Sequence, residues 1–144
     1  MHETIVSKIL LATDFSASAD LAQVYTEYLA VTLKASVVVL HVSEQRSSTA
    51  RALREAEIQA SLRRLQETIE EHAVPVNIQR SMGKPGDQIL STAHQLDADL
   101  IVIGLQGHTH LPYGLLGATA QAVTSSAGPA SAPAGRTRWR RRSR

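Results

Sequence analysis

The sequence predicts an α/β fold: a doubly wound parallel sheet with helices on both faces, Rossmann-like. Three observations predict it. Short, nearly continuous apolar runs recur along the chain, as in strands covered on both faces. Segments with apolar residues at helical spacing alternate with them, giving the order β-α-β-α-β-α-β-α, which calls for right-handed crossovers. A glycine-rich loop follows the fourth apolar run, at the carboxyl end of a strand, where such sheets bind ligands.

The first run, Ser7 to Thr13 (SKILLAT), ends at Asp14-Phe15-Ser16. Ser16 or Ser18 then caps a helix reaching Lys34, with Leu21, Val24, Tyr25, Tyr28, Leu29 and Leu33 at helical spacing. Ser36 to Val42 (SVVVLHV) is a second buried strand, rich in β-branched residues. From Thr49 to His72 a charged helix carries one apolar stripe of Leu53, Ile58, Leu62, Leu65 and Ile69. Val74 to Arg80 is a third strand, and Pro75, which has no N–H to give, assigns it to an edge. A helix from Gly86 to Leu96 follows a Gly/Pro turn, with Pro85 near its start. Leu100 to Ile103 is wholly apolar and central, and a short helix spans Ala118 to Thr124.

A length of 144 residues suits one domain. Aromatic residues make up 3%, so the core is built from aliphatic side chains. The chain has no Cys, which excludes disulfides, zinc knuckles and a thiol nucleophile. Met1-His2-Glu3-Thr4 lacks a basic n-region and an apolar h-region, and no apolar run approaches a membrane span, so a cytoplasmic protein is expected. The net charge of +2 hides an asymmetry: residues 136–144 hold six Arg, and the rest carries 9 basic against 13 acidic residues. From Ser125 the chain turns to small residues, Pro and Gly and then to Arg, which reads as a disordered tail and as an altered reading frame or alternative end.

The loop after the fourth strand has the pattern G-x2-G-x9-G at Gly104, Gly107 and Gly117. Glycine lets main-chain N–H groups approach phosphate oxygens, and Gly117 opens a helix whose N-terminus favours an anion. Three glycines alone read equally well as turn residues. Neither a Walker A motif nor G-x-G-x-x-G after a strand is present. With ILLATDFS, VVVLHV and GKPGDQILSTAHQLDADLIVIGLQG in order, the chain from Ser7 to Thr124 resembles the universal stress protein family.

The resemblance implies a universal stress protein-like nucleotide-binding domain over residues 1–124 and a tail over 125–144. It implies ATP or a related adenine nucleotide, with Mg²⁺ on the phosphates. Ala12, Thr13 and Asp14 match the turn beside adenine and ribose, and a carboxylate at Asp14 suits a ribose hydroxyl. Capping of the following helix explains Asp14 equally well. Val42 matches a position whose backbone contacts adenine, although a strand-end core residue reads the same way. Gly104, Gly107 and Gly117 match the phosphate loop, with His108 where a basic or polar residue is common. Ala118 stands where the family has Ser or Thr, with Thr119 one residue later, so one side-chain donor to phosphate is missing or displaced.

The family's fifth strand has no counterpart in SSAGPASAPAGRTRWRRRSR. The expected order is therefore 3-2-1-4, with the fourth strand left as an exposed apolar edge, and a homodimer formed through the fifth strand is put in doubt. The Arg-rich tail, with Trp139, would attract nucleic acid without sequence preference. His108-x-His110 lacks further ligands, so no metal site is assigned. His41, His72 and His94 read as surface or strand-end residues and receive no role, and Lys84 reads as an exposed loop lysine. No nucleophile–base pair supports catalysis. The expected function is nucleotide binding in stress response or signalling. The alternatives are a family member acting through protein partners alone and an enzyme related to adenine-nucleotide-binding hydrolases, which the lack of a substrate domain disfavours.

Overall fold

The computed structural model describes residues 6–43, 48–104, 123, 131–132 and 136–137, with backbone alone over 48–53, 131–132 and 136–137. The elements run β1 (Lys8–Ala12), α1 (Ala17–Leu33), β2 (Ser36–Ser43), α2 (Ser48–Glu70), β3 (Val76–Met82), α3 (Pro85–Leu96), β4 (Leu100–Val102), β5 (Ser131–Ala132) and β6 (Arg136–Thr137). They form one sheet in the order β3-β2-β1-β4-β6-β5, whose first four strands are parallel. This is the predicted 3-2-1-4 arrangement, with β3 and its preceding Pro75 at the edge.

Alternation along the strands divides the core into two layers. Ile9, Leu11, Val37 and Val39 pack with Ala22 and Ala30 of α1 and with Leu62, Leu65 and Ile69 of α2. Leu10, Val38, Leu40 and Ile101 point the other way, onto Ile89 and Ala93 of α3 and onto Val123. Successive strand residues face opposite sides, so both layers are filled by one apolar run. At the start of β1, Asp99 Oδ2 accepts from the N–H groups of Ser7 and Lys8 and from the Ser7 hydroxyl, at 2.9–3.0 Å.

Two expectations need correction. The residues expected to face the core from α1 do not all do so. Leu21, Val24, Tyr28 and Leu33 are exposed, while Ala19, Ala22, Thr26 and Ala30 are buried. Each of the two sets falls on one helical face, so periodicity cannot choose between them. The small set lets α1 lie close to a sheet face already filled by Ile and Leu side chains. The stripe of α2 is confirmed at Ile58, Leu62, Leu65 and Ile69.

The second correction concerns the edge beside β4. A parallel fifth strand does not appear among the described residues. Arg136 and Thr137 instead lie antiparallel to Val102 and Ile101, and β5 pairs with β6 in turn. A ladder is made by main-chain groups, so an Arg-Thr dipeptide closes the edge although it offers the core no apolar side chain. The remainder of the tail lies outside the described residues.

Candidate functional site

The parallel register brings the carboxyl ends of β1, β2 and β4 together. Ala12 pairs with Leu40, and the Thr13 N–H continues the ladder to the Leu40 carbonyl at 2.9 Å. Leu11 pairs with Val102, which places Gly104 just beyond the same edge. Val42, next to His41, pairs with Ser81 of β3. Of the residues singled out in the sequence, Ala12, Thr13, Asp14, Val42 and Gly104 therefore converge on one edge. Gly107, His108, Gly117, Ala118 and Thr119 lie outside the described residues.

The turn after β1 is held by its own side chains. Thr13 Oγ1 accepts from the Phe15 N–H at 3.1 Å, and Asp14 Oδ1 accepts from the Ser16 N–H at 3.0 Å. Ser16, not Ser18, is the N-cap of α1, and its hydroxyl accepts from the Ala19 N–H at 3.2 Å. Asp14 therefore does not cap α1 itself; it lies two residues before the cap and holds the N–H of the cap residue. A carboxylate accepts several hydrogen bonds, so this contact does not exhaust it. Phe15 sits at φ 61°, where a bulky side chain costs energy and persists only when its surroundings impose it.

His41 imposes it. Its ring lies 4.9 Å from the Phe15 ring at 31°. Its Nδ1 is 2.9 Å from the Thr13 carbonyl. A carbonyl only accepts, so Nδ1 carries the proton and the neutral ring keeps Nε2 as acceptor. Burial pushes the imidazole pKa below its ordinary 6.5, assisted by the Arg80 and Arg54 charges and opposed by the Thr13 bond and Asp14. Arg80, opposite His41 in the ladder, is engaged by both oxygens of Glu55.

The sequence reading assigned His41 no role, and the structure buries it at the centre of the turn. The signal was its parity: His41 shares a strand face with Val37 and Val39, so a polar side chain there enters the core layer.

Gly104 answers to a close approach. A Cβ at this position would lie 2.6 Å from Ser18 Oγ and 2.8–2.9 Å from the backbone of Ser18 and Ala19. The loop that leaves β4 thus starts against the first turn of α1.

This edge, at the carboxyl ends of a doubly wound parallel sheet, defines the class: an α/β protein of the type whose members take ligands over their strand ends. Residues 6–128 match the model of the universal stress protein family, and the chain belongs to that family. No curated protein matches the sequence. Solved structures share the fold. Universal stress protein UspA from Lactobacillus plantarum is 24% identical with a TM-score of 0.71, over 83% of this chain and 91% of that one. A universal stress protein in complex with cAMP is 21% identical, with a TM-score of 0.67, over 84% and 91%. An Arabidopsis thaliana protein of the family with AMP bound is 18% identical, with a TM-score of 0.53, over 68% and 75%. Among the described residues, no helix is long and apolar enough to cross a membrane.

Proposed function

We propose that the chain is a universal stress protein that binds ATP or a related adenine nucleotide and acts in stress response or signalling from the cytoplasm. The observation that carries this reading is the convergence of the Thr13–Asp14 turn, Val42 and Gly104 on one edge of the sheet. The relatives solved with cAMP and with AMP support an adenine nucleotide.

In this reading the Asp14 carboxylate accepts from ribose hydroxyls, and the Val42 main chain meets the adenine edge. Gly107, Gly117 and their neighbours supply main-chain donors to the phosphates, with His108 and Thr119 as side-chain donors. Mg²⁺, where present, neutralises charge on the phosphates. In this reading binding is the activity, with Asp14 the carboxylate at this edge, and any slow hydrolysis is incidental.

Ala118 favours a second reading, a stress protein that works through partners without nucleotide. A lost charge-assisted donor weakens binding by roughly tenfold or more.

Calorimetric titration of the full chain with Mg-ATP, AMP and cAMP tests the proposal, with Gly107→Val and Asp14→Ala as variants. Micromolar binding that Gly107→Val abolishes supports it. Folded protein that binds none of the three overturns it in favour of the partner reading.

A further inference from the structure

We infer that the outer face of α1 is a homodimer interface, on which a second copy of this chain packs its own α1 antiparallel. The surface is unusual for its position. The outer side of an ordinary helix in a doubly wound fold is polar, and α2 obeys this with Arg54, Glu57, Arg63, Arg64, Glu67 and Glu70. On α1 the corresponding face carries Leu21, Val24, Tyr28 and Val31, at 58%, 59%, 68% and 50% exposure. Spacings of three, four and three place these four side chains in one stripe, opposite the buried Ala19, Ala22, Thr26 and Ala30.

Charge and shape select a second copy as the occupant. Asp20 lies at the N-terminal end of the stripe and Lys34 at the C-cap, both on one flank. Neither has an ion-pair partner among the described residues. An isologous pairing brings the same flanks together in opposite directions. Asp20 then lies beside Lys34 of the second copy, Val24 meets its Tyr28, and Leu21 meets its Val31. The helix dipoles also oppose.

A cavity of about 450 Å³ adjoins the C-terminal end of the stripe, lined by Val31, Lys34, His72 and Pro75 among others, and it receives Leu21 of the second copy. One contact opposes the pairing. Glu27, held by the Gln23 amide at 3.3 Å, falls near the dyad beside its own copy. The stripe is small against the roughly 20–30 residues a side of a standard interface, so the dimer is weak and concentration-dependent.

Sedimentation of the full chain over a low- to high-micromolar series tests the inference, with circular dichroism confirming the fold of each variant. The expected result is reversible dimerisation. Tyr28→Lys raises the dissociation constant about tenfold or more, and Glu27→Gln lowers it. Asp20→Lys and Lys34→Asp each weaken the dimer, and the double variant restores it. Asp20, Tyr28 and Lys34 are exposed and Glu27 is half-buried, and Gln keeps the size of Glu27, so the fold tolerates these changes. A monomer throughout the series, or a dimer indifferent to Tyr28→Lys, overturns the inference. Failure of the double variant to restore association overturns the antiparallel arrangement it specifies.

Discussion

His41 and Thr13 are joined across two strands by a 2.9 Å hydrogen bond that fixes the imidazole tautomer and ties down a main-chain carbonyl at the head of the candidate site. The bond couples the titration of one side chain to the stability of the turn that carries Asp14. Burial, with help from Arg80 and Arg54, favours the neutral ring in the folded state.

The sign of the pH dependence follows. The native pKa of His41 lies below the ordinary 6.5, so protons bind the unfolded chain first. The stability contributed by the neutral ring is complete above 6.5 and is lost as the pH falls through and below that value. Urea midpoints measured from about pH 8 to about pH 5 should decline, and His41→Asn should flatten the decline. An equal decline in the variant would assign the effect to other groups.

Ser16→Ala should cost about 1 kcal/mol, because Ser16 Oγ accepts from the Ala19 N–H and is buried. Ser18→Ala should cost less, since Ser18 lies within the first turn of α1 and does not cap it. Chemical denaturation of the two variants side by side separates the two serines, between which the sequence could not choose.

Gly104→Ala should destabilise by about 1–3 kcal/mol, the usual cost of overpacking. The added methyl meets Ser18 Oγ at 2.6 Å, and that hydroxyl can rotate away. It also meets the Ser18 and Ala19 backbone at 2.8–2.9 Å, where relief requires α1 to move. Denaturant midpoints measure the cost. A nucleotide titration of the same variant shows whether moving α1 away from β4 also reaches the binding edge.

The sheet order was legible because each strand is a contiguous apolar run and the order of runs and helices constrains topology strongly. SVVVLHV and LIVI are strands by composition alone, and Pro75 marks an edge by chemistry. The inward face of α1 was not legible. Leu21, Val24 and Tyr28 have the same period as Ala22, Thr26 and Ala30, and a rule that buries the larger residues chooses wrongly when the sheet face is already full. At the candidate site, Gly104 was singled out by the glycine pattern after the fourth strand, and Thr13 and Asp14 through the resemblance. His41 was passed over because its meaning depends on a contact with a carbonyl 28 residues away. The antiparallel pairing of Arg136–Thr137 was illegible for a related reason: a ladder bond leaves no mark in side-chain type.

A substitution that introduces glycine should stabilise this protein. Ala73 follows α2 with φ 60°, and its N–H donates to the Glu70 carbonyl at 2.9 Å. This left-handed conformation costs a residue with a Cβ about 1–2 kcal/mol, and glycine is the usual occupant of such a helix end. The methyl is exposed and contributes little packing. Ala73→Gly also widens the unfolded ensemble, which costs about 0.4–1 kcal/mol. The difference favours glycine by about 0.5 kcal/mol, read as a higher urea midpoint at unchanged m-value. Ala30→Gly is the control: at a buried position inside α1 it should lower the midpoint by about 1 kcal/mol or more. A lower midpoint for Ala73→Gly would mean that the left-handed turn costs alanine less than the unfolded chain gains from glycine.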